Sequence, residues 1–414
     1  MTTPRNDDTS TVTTATTDAN EEKWERPGPV SDSRRRLAVG DSLRRWWDGL
    51  AKPVKLGIAV AFVIFMILLP LIDPPFISTD SAGLQFSSVL AECARTGLIA
   101  LGLNVVVGLA GLLDLGYVGF FAVGAYVVAL LSSPDSDLGL KFSWLACVPI
   151  AMVVTALSGL LLGLPTLRLR GDYLAIVTLG FGEIVRLLAD NIGPLKGQTG
   201  FARIAYPVVG KSESRPFGLF SSGNNVKPID SGVAWYWLIL GLVLLVMWAV
   251  NNLEKSRVGR AWIALREDED AAEIMGVSTF KYKVWAFMIG AAIGGLSGSL
   301  LAGQVQFVNN QKFDVVTSVL FLSAVVLGGQ GNKMGVLLGA FLIVYVPARF
   351  SAIAEYKFLI FGLTLIVLML FRPQGLIPAR HKLLGAPVPK NSTIDYSEPE
   401  EILTDMPPTN REAL

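Results

Sequence analysis

Residues 102–131 read GLNVVVGLAGLLDLGYVGFFAVGAYVVALL and predict a membrane protein whose helices are interrupted. Apolar runs cover residues 88–108 and 115–132, and each is close to the roughly 20 residues that a membrane-spanning helix needs. The glycines at their junction are Gly108, Gly111 and Gly116. An interrupted helix exposes backbone donors and acceptors that no helical neighbour satisfies. The stretch therefore predicts two spans joined by a short polar break.

The rest of the chain is similarly apolar. Of its 414 residues, 52% are hydrophobic and 17% charged, and the mean hydropathy of +0.51 is too high for a soluble protein of this size. The same length criterion predicts about ten spans, near residues 56–72, 88–108, 115–132, 142–163, 172–190, 233–252, 284–303, 314–330, 335–350 and 357–371. The predicted fold class is all-α, a polytopic transmembrane helix bundle.

The distribution of lysine and arginine predicts the orientation. Residues 34–55 carry seven basic residues and two tryptophans, whereas the predicted outer loop 73–87 carries no basic residue. Because cytosolic loops are enriched in lysine and arginine, both termini are predicted to be cytosolic. The segment 191–232 is an exception, since it is a predicted outer loop with five basic residues, and long outer loops tolerate such charge.

Composition divides the chain into three parts. Residues 1–50 are predicted to be a disordered cytosolic tail, because most of them are polar and show no periodicity. Residues 51–380 form the predicted transmembrane domain, and residues 381–414 a second, acidic disordered tail. Glycines four residues apart, as at Gly290 and Gly294, predict close helix packing within the membrane domain.

A polar loop at residues 253–283 separates two of the predicted spans. Residues 257–283 read RVGRAWIALREDEDAAEIMGVSTFKYK, a composition that favours helix. Leu265, Ala272 and Met275 recur at helical spacing and predict a small apolar stripe on an otherwise charged helix. Such a helix is too short and too polar to enter the bilayer. We therefore predict that it docks onto a partner protein.

The chain lacks the motifs of an enzyme. No G-x-x-x-x-G-K-[ST] phosphate loop is present, so the docking partner is predicted to be an ATPase. The single histidine, His381, lies beyond the last apolar segment, and the two cysteines lie inside apolar ones. These residues predict no catalytic site, no metal site and no cofactor, and nothing in the chain indicates nucleic-acid binding.

Charged side chains inside a predicted span mark a second region of interest. Glu183 and Arg186 are three residues apart in the apolar segment 171–190, so their side chains meet on one helix face. A lone charge at the centre of a membrane costs about 2.5–3.5 kcal/mol on insertion scales. The pair is predicted to face a polar path, with Thr178 and Gly182 nearby, or to be an ion pair that fixes helix packing, or to lie near the outer surface.

The break between residues 108 and 116 is a candidate solute site. Asn104 and Asp114 flank it. An amino acid needs donors for its carboxylate and an acceptor for its ammonium, which a helix N-terminus and Asp114 can supply. The alternative is a tight cytosolic hairpin with a solvated aspartate. A related pattern, VV-x-G-x-x-G, occurs at both 105–111 and 325–331, and an internal repeat is one interpretation of it.

Several segments together resemble the permease of branched-chain amino-acid ABC importers of the LivM type. They are GLNVVVGLAGLLDLGYVGFFAVGAYVVALL (102–131), LRLRGDYLAIVTLGFGEIVR (167–186), GRAWIALREDEDAAEIMG (259–276), VVLGGQG (325–331) and FRPQGLIP (371–378). The resemblance covers about residues 88–380. It implies a multi-pass protein of the bacterial inner membrane that pairs with a second, LivH-like permease, two ATP-binding subunits and an external solute-binding protein.

The resemblance also assigns roles to residues. ABC permeases often show E-A-A-x-x-x-G in the ATPase-coupling region, and here Asp270 replaces the glutamate. The expected coupling residues are Gly259, Arg260, Leu265, Arg266, Glu267, Asp270, Ala271, Ala272, Met275 and Gly276. The candidates for the substrate path are Asn104, Gly108, Gly111, Asp114, Gly116, Thr178, Gly182, Glu183 and Arg186.

Leucine, isoleucine and valine are the expected substrates, but the same family contains urea and short-chain amide permeases, which these motifs do not separate. An ion-coupled secondary transporter would instead use Asp114 and the Glu183–Arg186 pair as a relay. A purely structural membrane subunit is a third hypothesis. Neither of these last two accounts for the docking helix.

Overall fold

The computed structural model describes residues 52–72, 86–166, 172–207, 231–350, 356–371 and 375–377. The predicted disordered tails, 1–50 and 381–414, lie outside these ranges. The chain divides into two compact units, Met1–Met66 and Ile67–Leu414. In the first unit the described residues are helical, and the bundle and the candidate site discussed below belong to the second.

The described chain is helical, as predicted. The helices are α1 (Lys52–Ile72), α2 (Phe86–Leu103), α3 (Tyr117–Ser132), α4 (Trp144–Thr166), α5 (Asp172–Asn191), α6 (Ser231–Lys255), α7 (Arg257–Glu267), α8 (Glu269–Ile274), α9 (Thr279–Val305), α10 (Val315–Gly328), α11 (Lys333–Arg349) and α12 (Lys357–Phe371). Short 3₁₀ turns occupy Gly193–Leu195 and Asn310–Lys312, and a π-helical segment, Asn104–Leu109, continues α2. Each predicted span coincides with a helix, and α7 and α8 occupy the polar loop.

Length and composition qualify five of the described helical segments to cross a membrane. These are Phe86–Leu109, Trp144–Leu164, Gly232–Lys255, Thr279–Val305 and Asn310–Gly328. Shorter apolar helices occupy Ala61–Leu71, Tyr117–Ser132 and Phe358–Val367. The all-α class of a membrane protein is therefore confirmed, while the number of ten spans and the cytosolic position of the termini stay predictions.

Helix α9 lies at the centre of the bundle and packs closely on α3 and α4. A Cβ atom added to Gly124 of α3 would lie 2.5 Å from the Cα atom of Gly295 in α9. One added to Gly290 would lie 2.5 Å from Val106. The glycines of α9 therefore permit close helix packing, as the sequence predicts. The hydroxyl of Tyr117, the first residue of α3, donates to the Gly290 carbonyl at 2.7 Å.

A small polar cap covers the end of α9 remote from α8. Strands β1 (Phe201–Ala202) and β2 (Phe307–Val308) pair antiparallel there. Arg203 donates to the Asp135 carboxylate at 2.7 Å, and this hydrogen bond holds the pKa of Asp135 below its usual range. The cap ties the loop after α3 to the segments that follow α5 and α9.

Candidate functional site

The polar loop forms two helices where the sequence predicts one. Helix α7 begins after Ser256, whose hydroxyl accepts the Gly259 N–H at 3.3 Å. Asp268 then adopts an extended conformation (φ −156°, ψ 111°), which ends α7, and its carboxylate accepts the Ala271 N–H at 2.9 Å, which begins α8. Aspartate favours this capping position because its side chain satisfies a free N–H. The prediction of one continuous helix is therefore wrong.

The prediction that Leu265, Ala272 and Met275 form one apolar stripe is also wrong. Leu265 and Ala272 are only 6% and 5% exposed, because they pack against the bundle. Met275 is 83% exposed and Ile274, its neighbour, 85%. The break at Asp268 rotates α8 relative to α7, so the three predicted residues do not share one surface. The most exposed large apolar side chains of this region are Ile274 and Met275, and Phe280 is less exposed.

The other residues predicted for coupling divide between the interior and the surface. Arg260, Glu267, Asp270 and Ala271 are exposed. Gly259 is buried, and a Cβ atom there would lie 2.3 Å from the Glu254 carbonyl oxygen. Gly276 has a φ of +83°, a left-handed conformation that favours glycine and ends α8.

Helices α7 and α8 are anchored to the start of α9. The indole of Trp262, which is fully buried, donates to the Tyr282 carbonyl at 2.7 Å. The buried ammonium of Lys283 forms an ion pair with Glu269 at the first turn of α8. These two contacts hold α7 and α8 against the start of α9.

The interruption after α2 is present and is partly buried, since Gly111 and Leu113 are exposed whereas Leu112 and Asp114 are buried. In the π-helical segment the Ala110 N–H donates to the Val105 carbonyl at 3.2 Å, and Gly111 then leaves the helix with a φ of +72°. The chain stays non-helical up to α3. Asp114, in this stretch, is 1% exposed, so the solvated aspartate of the alternative is wrong, while the tight hairpin stays a prediction.

Two buried polar atoms in and beside the break have no hydrogen-bond partner among the described residues. The Oδ1 atom of Asp114 accepts the Gly116 N–H at 2.9 Å, but its Oδ2 atom has no donor. The Oδ1 atom of Asn104 accepts the Gly331 N–H at 2.8 Å, but its Nδ2 atom has no acceptor. Burying an unsatisfied polar group costs about 1–3 kcal/mol by mutational measures. One acceptor atom and one donor atom at the break thus lack hydrogen-bond partners among the described residues.

Helix α5 closes over the break with its buried side. Thr178 is fully buried, accepts the Leu115 N–H at 3.1 Å and donates to Ala175 at 3.0 Å. A Cβ atom on Gly116 would lie 1.6 Å from the Thr178 carbonyl oxygen, and one on Gly182 would lie 3.3 Å from Gly116. The structure therefore brings together Thr178, Gly182 and the break.

Glu183 and Arg186 lie on a different side of α5. The Arg186 Nε atom donates to both carboxylate oxygens of Glu183 at 3.0 Å. The side chains are 33% and 30% exposed, beside Ile184, which is 56% exposed. The predicted path residues therefore divide into a buried group at the break and a charged pair on an exposed face.

Two contacts at the break were missed by the sequence analysis. The guanidinium of Arg266 donates to the Gly108 carbonyl, although 158 residues separate them. Ser318 of α10 accepts the Val118 N–H at 3.4 Å and donates to the Leu115 carbonyl at 2.5 Å. No local pattern signals such long-range pairs. Within the described ranges, no cluster of histidine, cysteine, aspartate or glutamate could hold a metal ion.

Comparisons with known proteins found similar transport proteins. The family model for the "Branched-chain amino acid transport system / permease component" matches residues 85–369. The high-affinity branched-chain amino acid transport system permease proteins LivM of Escherichia coli and Salmonella typhimurium are 45% identical over 290 residues, which cover 68% of this chain and 67% of each relative. LivH of Escherichia coli is 27% identical over 292 residues, 68% of this chain and 90% of the relative. No solved structure matches. The chain therefore belongs to the branched-chain amino acid transport permease family.

Proposed function

We propose that the chain is the transmembrane permease subunit of an ATP-binding cassette importer for branched-chain amino acids in the bacterial inner membrane. A LivH-like permease would pair with it, an external binding protein would deliver leucine, isoleucine or valine, and two separate ATPase subunits would drive transport. The observation that carries this proposal is the anchored pair of helices α7 and α8, which exposes Ile274 and Met275.

Exposed methionine and isoleucine beside charged residues suit a protein contact. Ile274 and Met275 are more than four-fifths exposed on a short polar helix pair, while Leu265 and Ala272 hold the other side to the bundle. An apolar projection with a polar surround is the usual composition of an interface centre. A rigid support behind it lets a force on the exposed side reach the membrane helices.

The test is a charge at this projection. Met275→Glu should reduce co-purification of the ATPase subunits and leucine uptake together, because a carboxylate would be buried against the partner. Met334→Glu is the matched control, since Met334 is 54% exposed at the start of α11. Normal ATPase binding by Met275→Glu would remove this surface from the docking site. Ala272→Glu is less informative, because it inserts a charge into this chain's own interior.

The charged pair on α5 supports a location for the solute path beside this helix. Exposed sides of α4 and α12 carry large apolar residues such as Leu161 and Leu370, and no charged residue occurs within 144–164 or 358–371. These faces suit lipid. The exposed face of α5 also carries large apolar residues such as Ile176 and Ile184, but its partly exposed Glu183–Arg186 pair does not suit lipid, because intramembrane charges face other protein or water. We infer that α5 faces the second permease across the solute path.

A double substitution separates a packing role from a path role. Glu183→Gln or Arg186→Met alone leaves one charge without its partner, which should harm assembly more than removing both. In the double variant assembly should recover. Recovery of assembly without recovery of leucine uptake supports a path role, whereas recovery of both indicates a packing role.

The break supports an amino-acid substrate. The free Oδ2 atom of Asp114 can accept from an ammonium group, and the free Nδ2 atom of Asn104 can donate to a carboxylate. A urea or short-chain amide permease is the second candidate, because neutral amides also bind such a donor and acceptor. Parallel uptake of labelled leucine and labelled urea by the reconstituted complex, with each candidate binding protein, decides between them.

A further inference from the structure

We propose that Arg266 is the positioning residue that transmits movement of the docking helices to the interrupted membrane helix. This inference rests on the function proposed above. It assigns a role to one contact between two regions that the sequence presents as separate, the ATPase-docking helices and the break beside Asp114. Arg266 lies in the last turn of α7, immediately before the exposed part of the docking pair.

The head of Arg266 holds the end of the helix formed by α2 and its π-helical continuation. Its Nη1 atom donates to the Gly108 carbonyl, one residue from the end of the π-helical segment. Carbonyls in the last turn of a helix lack donors within the helix, and the negative end of the helix dipole attracts a cation. The guanidinium therefore supplies a hydrogen bond that the helix itself cannot make.

The stem of Arg266 lies across the residue at which the chain leaves the helix. A Cβ atom on Gly111 would lie 2.9 Å from the Arg266 Cγ atom and 3.2 Å from its Cα atom. Gly111 also has a φ of +72°, which favours glycine. Head and stem thus contact Gly108 and Gly111 on both sides of the helix end. A shift of α7 would therefore also displace the backbone at this end of the break.

The docking helices reach the other end of the break through α9. Trp262 and Lys283 fasten α7 and α8 to the start of α9. Farther along, the Gly290 carbonyl of α9 accepts the hydroxyl of Tyr117, with which α3 begins. The docking pair therefore holds the start of α3 through a packed helix and the end of α2 through Arg266. The break between them carries Asp114.

The same helix end also contacts the turn between α10 and α11. A Cβ atom on Gly108 would lie 2.5 Å from the Gly331 nitrogen, which donates to Asn104. A displacement at Arg266 would thus change the surroundings of Asn104, whose Nδ2 atom has no acceptor. Because coupling between sites is reciprocal in binding free energy, a solute at the break should in turn bias the docking helices.

The test uses the complete importer in proteoliposomes with Arg266→Met and Arg266→Lys. Methionine keeps much of the apolar stem but removes the hydrogen bond, and lysine keeps the charge without the planar fork. Arg257→Met and Arg257→Lys are the controls, because Arg257 is exposed at the first residue of the same helix. Three quantities are measured: bound ATPase subunits, ATP hydrolysis with and without leucine-loaded binding protein, and leucine uptake.

The expected result is uncoupling without loss of docking. Arg266→Met should bind the ATPase subunits in wild-type amounts and hydrolyse ATP, while leucine taken up per ATP falls at least about tenfold, the scale of one hydrogen bond to a charged group. Arg266→Lys should lie between Arg266→Met and the wild type. Both Arg257 variants should keep the wild-type ratio.

Two results would overturn the inference. Wild-type uptake per ATP in Arg266→Met would show that the contact transmits nothing, and loss of the ATPase subunits would show that Arg266 is a docking contact instead. If Arg266→Met does not assemble, Arg266→Lys decides: a ratio equal to that of Arg257→Lys rejects the inference. Failure of the proposed function is separate, because the wild-type complex would then bind no ATPase or take up no leucine.

Discussion

The segments VVVGLAG (105–111) and VVLGGQG (325–331) share a glycine pattern, and both end a helix at the same end of the bundle. The second is a closed turn. Gly329 has a φ of +113° and its N–H returns to Val325 at 3.0 Å. Asn332 then begins α11 by accepting the Met334 N–H at 3.1 Å.

Backbone groups satisfy the end of α10. The N–H groups of Leu376 and Ile377 donate to the carbonyls of Leu327 and Gly328 at 2.9 and 3.1 Å. The end of α2 differs, because the Gly108 carbonyl takes its donor from the side chain of Arg266, and Asn104 beside it keeps a free Nδ2 atom.

The comparison teaches that one glycine pattern can serve two purposes. A helix end satisfied by backbone is fixed, since changing its partners requires moving the chain itself. A helix end satisfied by a side chain from another region can exchange that partner when the region moves. The two ends touch through the hydrogen bond from Gly331 to Asn104, and the proposed role of Arg266 requires the end of α2 to shift relative to this turn. An internal repeat stays a prediction.

The largest effect is expected on stability, from a substitution at Gly116, where α5 closes over the break. Gly116→Ala should cost about 3 kcal/mol of stability or more, because the new Cβ atom would lie 1.6 Å from a backbone oxygen that no rotamer change can move. Thermal unfolding of the purified chain in detergent measures this. Gly180→Ala is the control on α5, since nothing lies within 4 Å of its added Cβ atom. Equal stability of the two variants would mean that α5 does not close over the break.

Removing the charge of Asp114 should leave the fold of the break unchanged but impair transport. Asp114→Asn keeps an oxygen for the Gly116 N–H but weakens any bond to an ammonium group, so leucine uptake should fall about tenfold to hundredfold, as expected for losing a charge-assisted hydrogen bond. Uptake is normalised to assembled complex in proteoliposomes. Unchanged leucine uptake would exclude Asp114 from the path. Urea uptake in place of leucine uptake would reverse the substrate assignment.

The smallest effect is expected from a substitution in the closed turn between α10 and α11. Asn332→Ala removes the cap of α11 and a 3.2 Å hydrogen bond to the Ile377 carbonyl, which should lower stability by about 1 kcal/mol. Uptake per assembled complex should stay at the wild-type value, because this end does not exchange partners. A loss of uptake as large as that of Asp114→Asn would contradict the distinction between the two helix ends.

The positions of the helices could be predicted because they depend on local properties. A run of about twenty apolar residues has no stable alternative to helix in a bilayer, where each backbone polar group needs an internal partner. The break near Gly111 was equally predictable, since closely spaced glycines loosen a helix. The split at Asp268 followed a capping preference visible in the sequence, but helix propensity summed over 257–283 concealed it.

The sequence by itself determined that this is a helical membrane protein of the branched-chain amino acid permease family, with a polar loop and an interrupted helix. The tertiary structure alone decided which side of each element is buried. It turned Ala272 inward and Met275 outward, placed Thr178 and Glu183 on different sides of α5, and joined Arg266 to Gly108. The physical reason is the separation along the chain over which each property is set. Helix formation depends on neighbours within a few turns, whereas burial and pairing depend on contacts between residues far apart in the chain.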